Sequence, residues 1–427
     1  MENIKIKFRI KSAFNKLSTT GFFHIFGSNV INKMLSFMCS ILVVRIVSKV
    51  AFGEYTYANN VISIILLFSG LGMVSGTFQL CSEEISNIDR RNAIYRYGCR
   101  VGIQFNLLLI LVAVVVALFV PLKIPGARLL ILMMALYPVV MILFEFQQIY
   151  LRSSLQNKLY SYSTTINTVL VVIGSVAGAV LFQIKGLIIG TYLAYCGTVF
   201  ILFCFFKVPV FIKKSKIDNT YRRVLYRISI VSMCNNGLSQ LLYLADIFIL
   251  GIIIPNESII ASYKIATVIP TAMTFIPSAV VTYIYPYFAS NRTNKEWTIS
   301  RYKTLLKAML VGNFIISLVL FVFANQFIGW IYGNSYLDAV PCYRVLVISY
   351  FFSGSFRIVS GNLLVTQRKV EFNLFVAILS GIINIAGNII LIPVYGSMGA
   401  AIVTLSVVIV SSLISTIYYT WLIKEKL

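Results

Sequence analysis

Long apolar runs recur along the whole chain, separated by short polar segments. A helix needs about 20 apolar residues to cross a bilayer core of about 30 Å, and these runs have that length. They lack the strict alternation of membrane barrel strands. Since a backbone in lipid must satisfy its own hydrogen bonds, the pattern predicts transmembrane helices, with kinks at Pro270, Pro277 and Pro286 in the eighth. The twelve predicted helices are 22–47, 56–80, 99–120, 129–150, 160–182, 187–206, 228–253, 258–287, 306–328, 342–364, 372–393 and 398–422.

Composition places the chain in a membrane rather than in water. Of its 427 residues, 59% are hydrophobic and only 11% are charged, whereas a soluble domain carries roughly 25% charged residues. A net charge of +23 would suggest nucleic-acid binding in a soluble protein. Here the cations lie between apolar runs, so they indicate orientation in the membrane, and no nucleic-acid partner is expected. The first ~20 residues lack the apolar core of a cleavable signal peptide.

Loop cations predict the orientation of the helices. With the N-terminus in the cytoplasm, 27 lysines and arginines fall on the cytoplasmic side, and only Lys49, Lys123, Arg128 and Lys185 fall on the other. Cytoplasmic loops of membrane proteins are enriched in these two residue types. We therefore expect both termini in the cytoplasm and an even number of helices, which supports twelve.

Short sequence patterns recur at a spacing of 208–211 residues, each at the matching boundary of a predicted helix. Six helices per half is an even number, so both halves keep the same topology and are predicted to be parallel repeats about an axis along the membrane normal. The predicted division is an N-terminal six-helix bundle (1–206), a basic cytoplasmic linker (207–227) and a C-terminal six-helix bundle (228–427). The matching positions are Tyr55 and Tyr263, Gln156 and Gln367, and Gly186 and Gly396.

Two predicted helices carry polar stripes. In the first, Asn29, Asn32 and Lys33 follow helical spacing, and in the seventh, which opens the second half, Asn236 and Gln240 do so. Such a stripe must face protein or water, because lipid cannot satisfy it. We expect the two helices to face each other across a central cavity. Helix packing through Asn and Ser side chains is the alternative.

Ionisable residues inside the spans are functional candidates, because a charge in the hydrocarbon region is costly. Four cations, Lys33, Arg45, Lys264 and Arg357, outnumber the acidic residues there and favour an anionic substrate. Arginine suits phosphate because its guanidinium presents a fork of donors. For Arg45 and Lys264 the alternative is a side chain that reaches the membrane surface.

Three further residues are candidates for coupling transport to an ion: Glu145, Asp246 and His24. Glu145 is equally suited to a structural pairing, and His24, the only histidine, can titrate near neutral pH. The sequence contains no metal-binding pattern, CxxC pair or P-loop, so we expect no metal and no cofactor, with H⁺ or Na⁺ as the coupling ion. One histidine and few carboxylates also argue against an enzyme.

Several segments resemble the bacterial polysaccharide exporters. The resemblance covers nearly the whole chain and is most specific across the last two predicted helices. We therefore compare the chain with the polysaccharide-repeat-unit (Wzx-type, O-antigen) flippases of the multidrug/oligosaccharidyl-lipid/polysaccharide exporter superfamily, which it resembles. The segments are Gly53-Glu54-Tyr55 with Ala58, 246–251 with Tyr263, Tyr332-Gly333 with Tyr336, and Asn384, Asn388 and 392–401.

This resemblance implies an all-α, MATE-like fold of two six-helix bundles around a cavity. It implies a flippase that moves a polyprenyl-diphosphate-linked oligosaccharide, of O-antigen or capsule type, from the cytoplasmic to the outer leaflet by alternating access, driven by an ion gradient. The implied partners are membrane lipid, undecaprenyl-diphosphate-linked glycan, and polysaccharide polymerase and chain-length machinery. The implied location is the bacterial inner membrane. Peptidoglycan-precursor flippases usually have fourteen helices and several arginines in the first, whereas this chain has only Arg45 there.

Two other functions stay open at this point. A multidrug or cation antiporter of the same fold needs acidic residues for cationic compounds, and only Glu145 and Asp246 are candidates. A membrane enzyme, such as a polymerase or acyltransferase, needs a large outer loop or a histidine-rich face, which the sequence lacks. For the favoured flippase, we expect Lys33 and Arg357 to pair with the diphosphate and the amide stripes to contact the sugars.

Overall fold

The computed structural model describes residues 22–212 and 217–425, except for the side chains of 22–26, 235, 238, 239, 242 and 370. Over those ranges the chain is helical throughout, without a strand, which confirms the predicted all-α class. Two 3-10 helices (Ser69–Gly72 and Asn334–Ala339) and one π-helix (Ser353–Arg357) interrupt the α-helices. The α-helices are α1 (Phe22–Ile46), α2 (Lys49–Leu66), α3 (Met73–Glu83), α4 (Ile88–Phe119), α5 (Ala127–Met134), α6 (Tyr137–Ser153), α7 (Asn157–Cys204), α8 (Asn219–Ile253), α9 (Glu257–Met273), α10 (Phe275–Ser290), α11 (Lys295–Val322), α12 (Ala324–Tyr332), α13 (Val340–Phe352), α14 (Ile358–Thr366), α15 (Val370–Tyr395) and α16 (Ser397–Glu425).

Within the described ranges, ten helical stretches are long and apolar enough to cross a membrane. The longest, α7, is two helices, because its backbone turns out of helical geometry at Gln183. Its arms run antiparallel in backbone contact, with Gly174 against Gly190 and Gly178 against Gly186. Only glycine permits this approach, since an added Cβ would overlap the facing backbone. The predicted count of twelve helices is compatible with these elements.

Apolar side chains cover the outside of the helices. On α4, Leu107, Leu111 and Leu118 are each more than half exposed, whereas Asn106 on the same helix is fully buried. In water this distribution would be unstable, because it leaves large apolar side chains in solvent and a polar one in the interior. In a bilayer the exposed leucines contact lipid, and the polar group finds partners inside the protein.

Packing divides the chain into two compact units. The first comprises Met1–Val47, Ile62–Val120 and Arg128–Gly237. Inside it, the Asn106 side chain accepts a hydrogen bond from the Gly70 amide (2.6 Å) and donates to the Pro138 carbonyl (2.5 Å). Asn106 thereby stabilises the break between α2 and α3, where Gly70 has a left-handed φ of 57°.

The second unit comprises Ser48–Val61, Pro121–Ala127 and Leu238–Leu427. It contains a related asparagine, Asn313, on α11. The Asn313 side chain accepts a hydrogen bond from the Tyr350 hydroxyl (2.8 Å) and donates weakly to the Ser355 hydroxyl (3.4 Å). Both partners lie in or next to the π-helix, so this asparagine also contacts an irregular segment of a neighbouring helix.

Local geometry recurs between the two halves of the sequence. Asn87 caps α4 and Asn294 caps α11 through the same side-chain acceptor, 207 residues apart. Farther along, Leu155 and Arg368 have φ of 57° and 58°, each in the turn before a long helix. These two positions are 213 residues apart, so the spacing increases within the second half.

The same increase corrects the predicted register of the repeat at its C-terminal end. Gln183 (φ 54°, ψ −140°) and Gly396 (φ 60°, ψ −138°) share one unusual backbone conformation. Gly186 therefore corresponds to Gly399 and not, as predicted, to Gly396. Both Gly186 and Gly399 lie against the backbone of the preceding helix. The sequence pattern aligned the glycines by residue type, whereas the turn fixes the alignment by geometry.

The predicted kinks in the eighth predicted helix reduce to one break. This helix divides at Thr274 into α9, which contains Pro270, and α10, which begins two residues before Pro277. Proline removes a helical hydrogen bond, which explains a break between these two positions. At Pro286, α10 continues without interruption.

Candidate functional site

A cavity of about 470 Å³ lies inside the second unit. Residues of α8, α9, α13, the π-helix, α15 and α16 line it, so helices distant in sequence converge on one site. Pockets that hold ligands in helical bundles are commonly built in this way. The charged and amide lining residues are Gln240, Asp246, Lys264, Arg357 and Asn384, and hydroxyls are supplied by Tyr243, Tyr263, Thr267, Thr271, Thr274, Ser349, Tyr350, Ser353 and Thr404.

Two cations line this cavity, Lys264 from α9 and Arg357 from the π-helix. Arg357 is the last residue of that five-residue π segment, a type of helical irregularity that is frequent at functional sites. Both side chains are half-buried, and neither has an ion-pair or hydrogen-bond partner among residues 22–212 and 217–425. Two cations without a protein partner leave the cavity able to bind an anion.

Asp246 is buried beside the two cations and is surrounded by neutral donors. Its Oδ1 accepts hydrogen bonds from the side-chain amides of Asn384 (2.9 Å) and Asn388 (2.8 Å). Its Oδ2 accepts from the hydroxyls of Tyr263 (2.9 Å) and Thr404 (2.6 Å). The four donors come from α15, α9 and α16, while Asp246 itself is on α8. Charge-assisted hydrogen bonds of this kind are the strong ones in a low-dielectric interior.

One oxygen of this network is unsatisfied. The Asn388 Oδ1 atom is buried and has no hydrogen-bond partner, while its amide nitrogen donates to both Asp246 and Asn384. A buried oxygen without a donor costs about 1–3 kcal/mol. A bound hard cation would remove that cost, because such cations take carboxylate, amide and hydroxyl oxygens as ligands. The Asp246 cluster, defined as Asp246 with Tyr263, Asn384, Asn388 and Thr404, therefore has the donor set of a cation site.

Four of the residues predicted from the sequence are brought together in this cavity: Lys264, Arg357, Gln240 and Asp246. The sequence argument missed the partners of Asp246. Asn384 and Asn388 are four residues apart in an apolar helix, which places them on one face, and this spacing was a usable signal. Tyr263 and Thr404 carried no such signal, since tyrosine and threonine are common in these helices.

The predicted residues of the first polar stripe lie in the first unit, on α1. Asn29, Lys33 and Arg45 are exposed, and Asn32 is half-buried. The helix packs against α7, where the Cys39 thiol and the Ser175 hydroxyl are 3.2 Å apart. Contact of these four residues with a substrate stays a prediction.

The remaining candidates are not part of the Asp246 cluster. Asn236 is exposed on α8, and Glu145 is exposed on α6, near enough to Tyr195 to interact electrostatically. The helical backbone at His24 is described, but its side chain lies outside the described part of the structure. An ion-coupling role for Glu145 or His24 stays a prediction.

An apolar exterior, ten membrane-length helices and a polar internal cavity define a multi-pass membrane protein with the architecture of a transporter. The particular family follows from the sequence match: residues 42–341 match the family described as polysaccharide biosynthesis protein. The match covers well over half of the chain, which therefore belongs to this family. No curated protein sequence matches the chain.

Solved structures with a similar fold are transporters and flippases. The lipid II flippase MurJ in an inward closed conformation has a TM-score of 0.75 at 14% identity, over 93% of this chain and 87% of that one. An inward-facing multidrug resistance MATE family transporter of the MOP superfamily has a TM-score of 0.72 at 13% identity, covering 92% and 94%. A MOP superfamily transporter from Pyrococcus furiosus has a TM-score of 0.59 at 13% identity, covering 97% and 96%. These likenesses establish the MOP-superfamily fold.

Proposed function

We propose that the protein is a flippase that moves a polyprenyl-diphosphate-linked oligosaccharide of the O-antigen or capsule type from the cytoplasmic to the outer leaflet of the bacterial inner membrane. The carrying observation is the cavity in the second unit, where Lys264 and Arg357 lack protein partners. Membership of the polysaccharide biosynthesis family supports a glycan substrate. The fold shared with a lipid II flippase supports a lipid-linked one.

The electrostatics of the cavity favour an anionic head group. Lys264 and Arg357 contribute two positive charges, while the one carboxylate in the lining is saturated by four neutral donors. Arg357 can bind two phosphate oxygens at once through its guanidinium. Gln240, Thr267 and Ser353 supply the amide and hydroxyl groups that sugars need for hydrogen bonding. The polyprenyl chain would stay in the lipid while the head crosses.

We further propose that an ion gradient drives alternating access through the Asp246 cluster, with Na⁺ or H⁺ as the ion. Support comes from its oxygen donor set and from the unsatisfied Asn388 oxygen. A multidrug antiporter of the same fold is the competing proposal. It is less favoured because a cationic drug would meet Lys264 and Arg357, and would have to displace four hydrogen bonds to reach Asp246.

The proposal is tested by surface glycan in cells that carry Lys264→Gln or Arg357→Gln as the only copy of the gene. Each change removes one cavity charge at similar volume, and we expect glycan export to fall by about tenfold or more, equivalent to at least 1.4 kcal/mol. Arg357→Lys should retain part of the activity, because it keeps the charge but loses the fork of donors.

Lys185→Gln is the matched control, since Lys185 is exposed on α7 and outside the cavity. Protein amounts in the membrane are compared by immunoblot. Normal surface glycan in both cavity variants at equal protein amounts would contradict the proposal. Drug resistance lost in the same variants, with unchanged glycan, would support the antiporter instead.

A further inference from the structure

Three consecutive residues of α9 reach three different parts of the second unit. The Ser262 hydroxyl donates to Asp338 Oδ2 at 2.8 Å, and the Tyr263 hydroxyl donates to Asp246 Oδ2 at 2.9 Å. Lys264, the third, lines the cavity. Ser262 and Tyr263 are both buried. Since adjacent residues of a helix share one rigid backbone, a shift of any of these side chains is transmitted to the other two.

Asp338 belongs to an ion pair that fastens the start of α2. Lys49 Nζ lies 2.7 Å from both carboxylate oxygens of Asp338 and 2.8 Å from the Ser335 carbonyl. The same ammonium lies 5.2 Å from the centre of the Tyr336 ring, in cation–π distance. We call Lys49, Ser262, Ser335, Tyr336 and Asp338 the latch. Lys49 is predicted to face outside, so the latch lies at the outer end of the second unit.

Close packing below the latch seals the same segment. Gly53 lies against the backbone of Glu257, and the Tyr57 ring lies against Gly251. Thr56 and Ala58 are buried as a result. Residues 48–61 are followed in sequence by a chain that packs in the first unit, yet they pack in the second. An outer opening of the second unit therefore requires the latch to break.

The Asp246 cluster and the latch are linked through hydrogen bonds with a single shared helix. A cation bound at Asp246 takes lone pairs that otherwise accept from Tyr263 and Thr404. Tyr263 must then reorient, and Ser262, the next residue, carries one of the hydrogen bonds that orient Asp338 towards Lys49. No other described side chain donates to Asp338 besides Ser262 and Lys49, so the loss of Ser262 leaves the ion pair less constrained.

We propose that Ser262 and Tyr263 are positioning residues that couple occupation of the Asp246 cluster by Na⁺ to the opening of the latch. This inference rests on the proposed ion coupling but concerns a different property, the accessibility of residues behind the latch. Lys264, on the same turn, places the anion-binding cavity within the same rigid segment. Cation binding, substrate contact and outer closure are thus joined by three residues of α9.

The test measures the labelling rate of a buried cysteine behind the latch. Thr56→Cys is introduced into a variant whose seven native cysteines are replaced, and sealed right-side-out vesicles are treated with a membrane-impermeant maleimide. NaCl is compared with choline chloride at constant ionic strength. We expect Na⁺ to change the rate by about fivefold or more, the lower range of allosteric coupling. Val50→Cys, at a half-exposed position outside the seal, should label at one rate in both salts.

Two further variants decide whether the coupling runs through α9. Tyr263→Phe removes the hydrogen bond to Asp246 and should abolish the Na⁺ effect, while Tyr395→Phe, at an exposed tyrosine of α15, should preserve it. Ser262→Ala should accelerate labelling in choline and reduce the Na⁺ effect, and Ser262→Thr, which keeps a hydroxyl, should restore both.

The inference is overturned if the parent shows no Na⁺ effect, or if Tyr263→Phe keeps the effect of the parent. The same vesicles separate it from the proposed function. Lys264→Gln should keep Na⁺-dependent labelling but lose glycan export in cells. Normal export in Lys264→Gln would instead refute the proposed substrate site and leave the labelling result to stand by itself.

Discussion

At the scale of single residues, Asp246 has the most unusual surroundings of the side chains described. A carboxylate with four neutral donors is stabilised as an anion, because each donor replaces a water molecule that burial removed. Its negative charge lies in the same cavity as Lys264 and Arg357, and Asp246 has no direct ion pair with either. The separation allows a cation and an anionic head group to bind in the same cavity without direct neutralisation by the protein.

Removal of the Asp246 charge should abolish ion coupling while the fold persists. Asp246→Asn keeps the side-chain volume and an acceptor for the two hydroxyls, but it removes the attraction for a cation. We expect glycan export to fall by about tenfold or more, with the melting temperature in detergent little changed. Asp218→Asn, an exposed position in the linker, should leave export as in the parent. Undiminished export in Asp246→Asn would disprove a coupling role.

The sequence predicted part of this site because intramembrane charges are rare and conspicuous. Lys264, Arg357 and Asp246 were visible for that reason, and the structure places all three in one cavity. Tyr263 and Thr404 were not, since their role depends on which helices face each other. The latch was also missed: Lys49 counted only as one of four outer cations, and its partner Asp338 is 289 residues away. Contacts at such separation have no local sequence signal.

At the scale of helices, glycines at the hairpin of α7 determine how closely its arms approach. Gly190 should not tolerate a side chain, because the Cβ of Gly190→Ala would overlap the Gly174 carbonyl. Overpacking of this kind costs about 1–3 kcal/mol. Gly197→Ala, on the same arm, meets only one atom at 3.9 Å and should be neutral or slightly stabilising. Thermal unfolding in detergent compares the two, and equal melting temperatures would contradict the packing argument.

The break between α2 and α3 depends on a single buried amide. Asn106→Ala would leave the Gly70 amide and the Ser69 hydroxyl without this partner and should cost about 1–3 kcal/mol. Asn362→Ala is the control, because Asn362 is exposed and bonds only to a carbonyl of its own helix. The measurement is the midpoint of unfolding in detergent with added denaturant. If both variants unfold at the same midpoint, the break is stabilised by other contacts.

At the scale of the whole molecule, the predicted orientation can be tested on one hairpin. Lys158 and Lys185 are exposed and lie at opposite ends of the first arm of α7, about 36 Å apart at 1.5 Å per residue. In a cysteine-free variant, Lys185→Cys should react with impermeant maleimide in intact cells. Lys158→Cys should react only after permeabilisation. Reaction of Lys158→Cys in intact cells would reverse the orientation.

The 3-10 helix Asn334–Ala339 has a consequence for the history of the chain. Matching positions are 207 residues apart at Asn87 and Asn294 but 213 apart at Leu155 and Arg368, so one copy gained six residues, or the other lost six, after duplication of an ancestral gene. Ala127–Ser153 and Val340–Thr366 already follow the longer spacing, which places the difference just before α13. That connection contains the six-residue 3-10 helix and, within it, Asp338. An ancestor with two identical halves would have had no such segment in only one of them, so the residue that pairs with Lys49 marks where the two descendants ceased to be interchangeable.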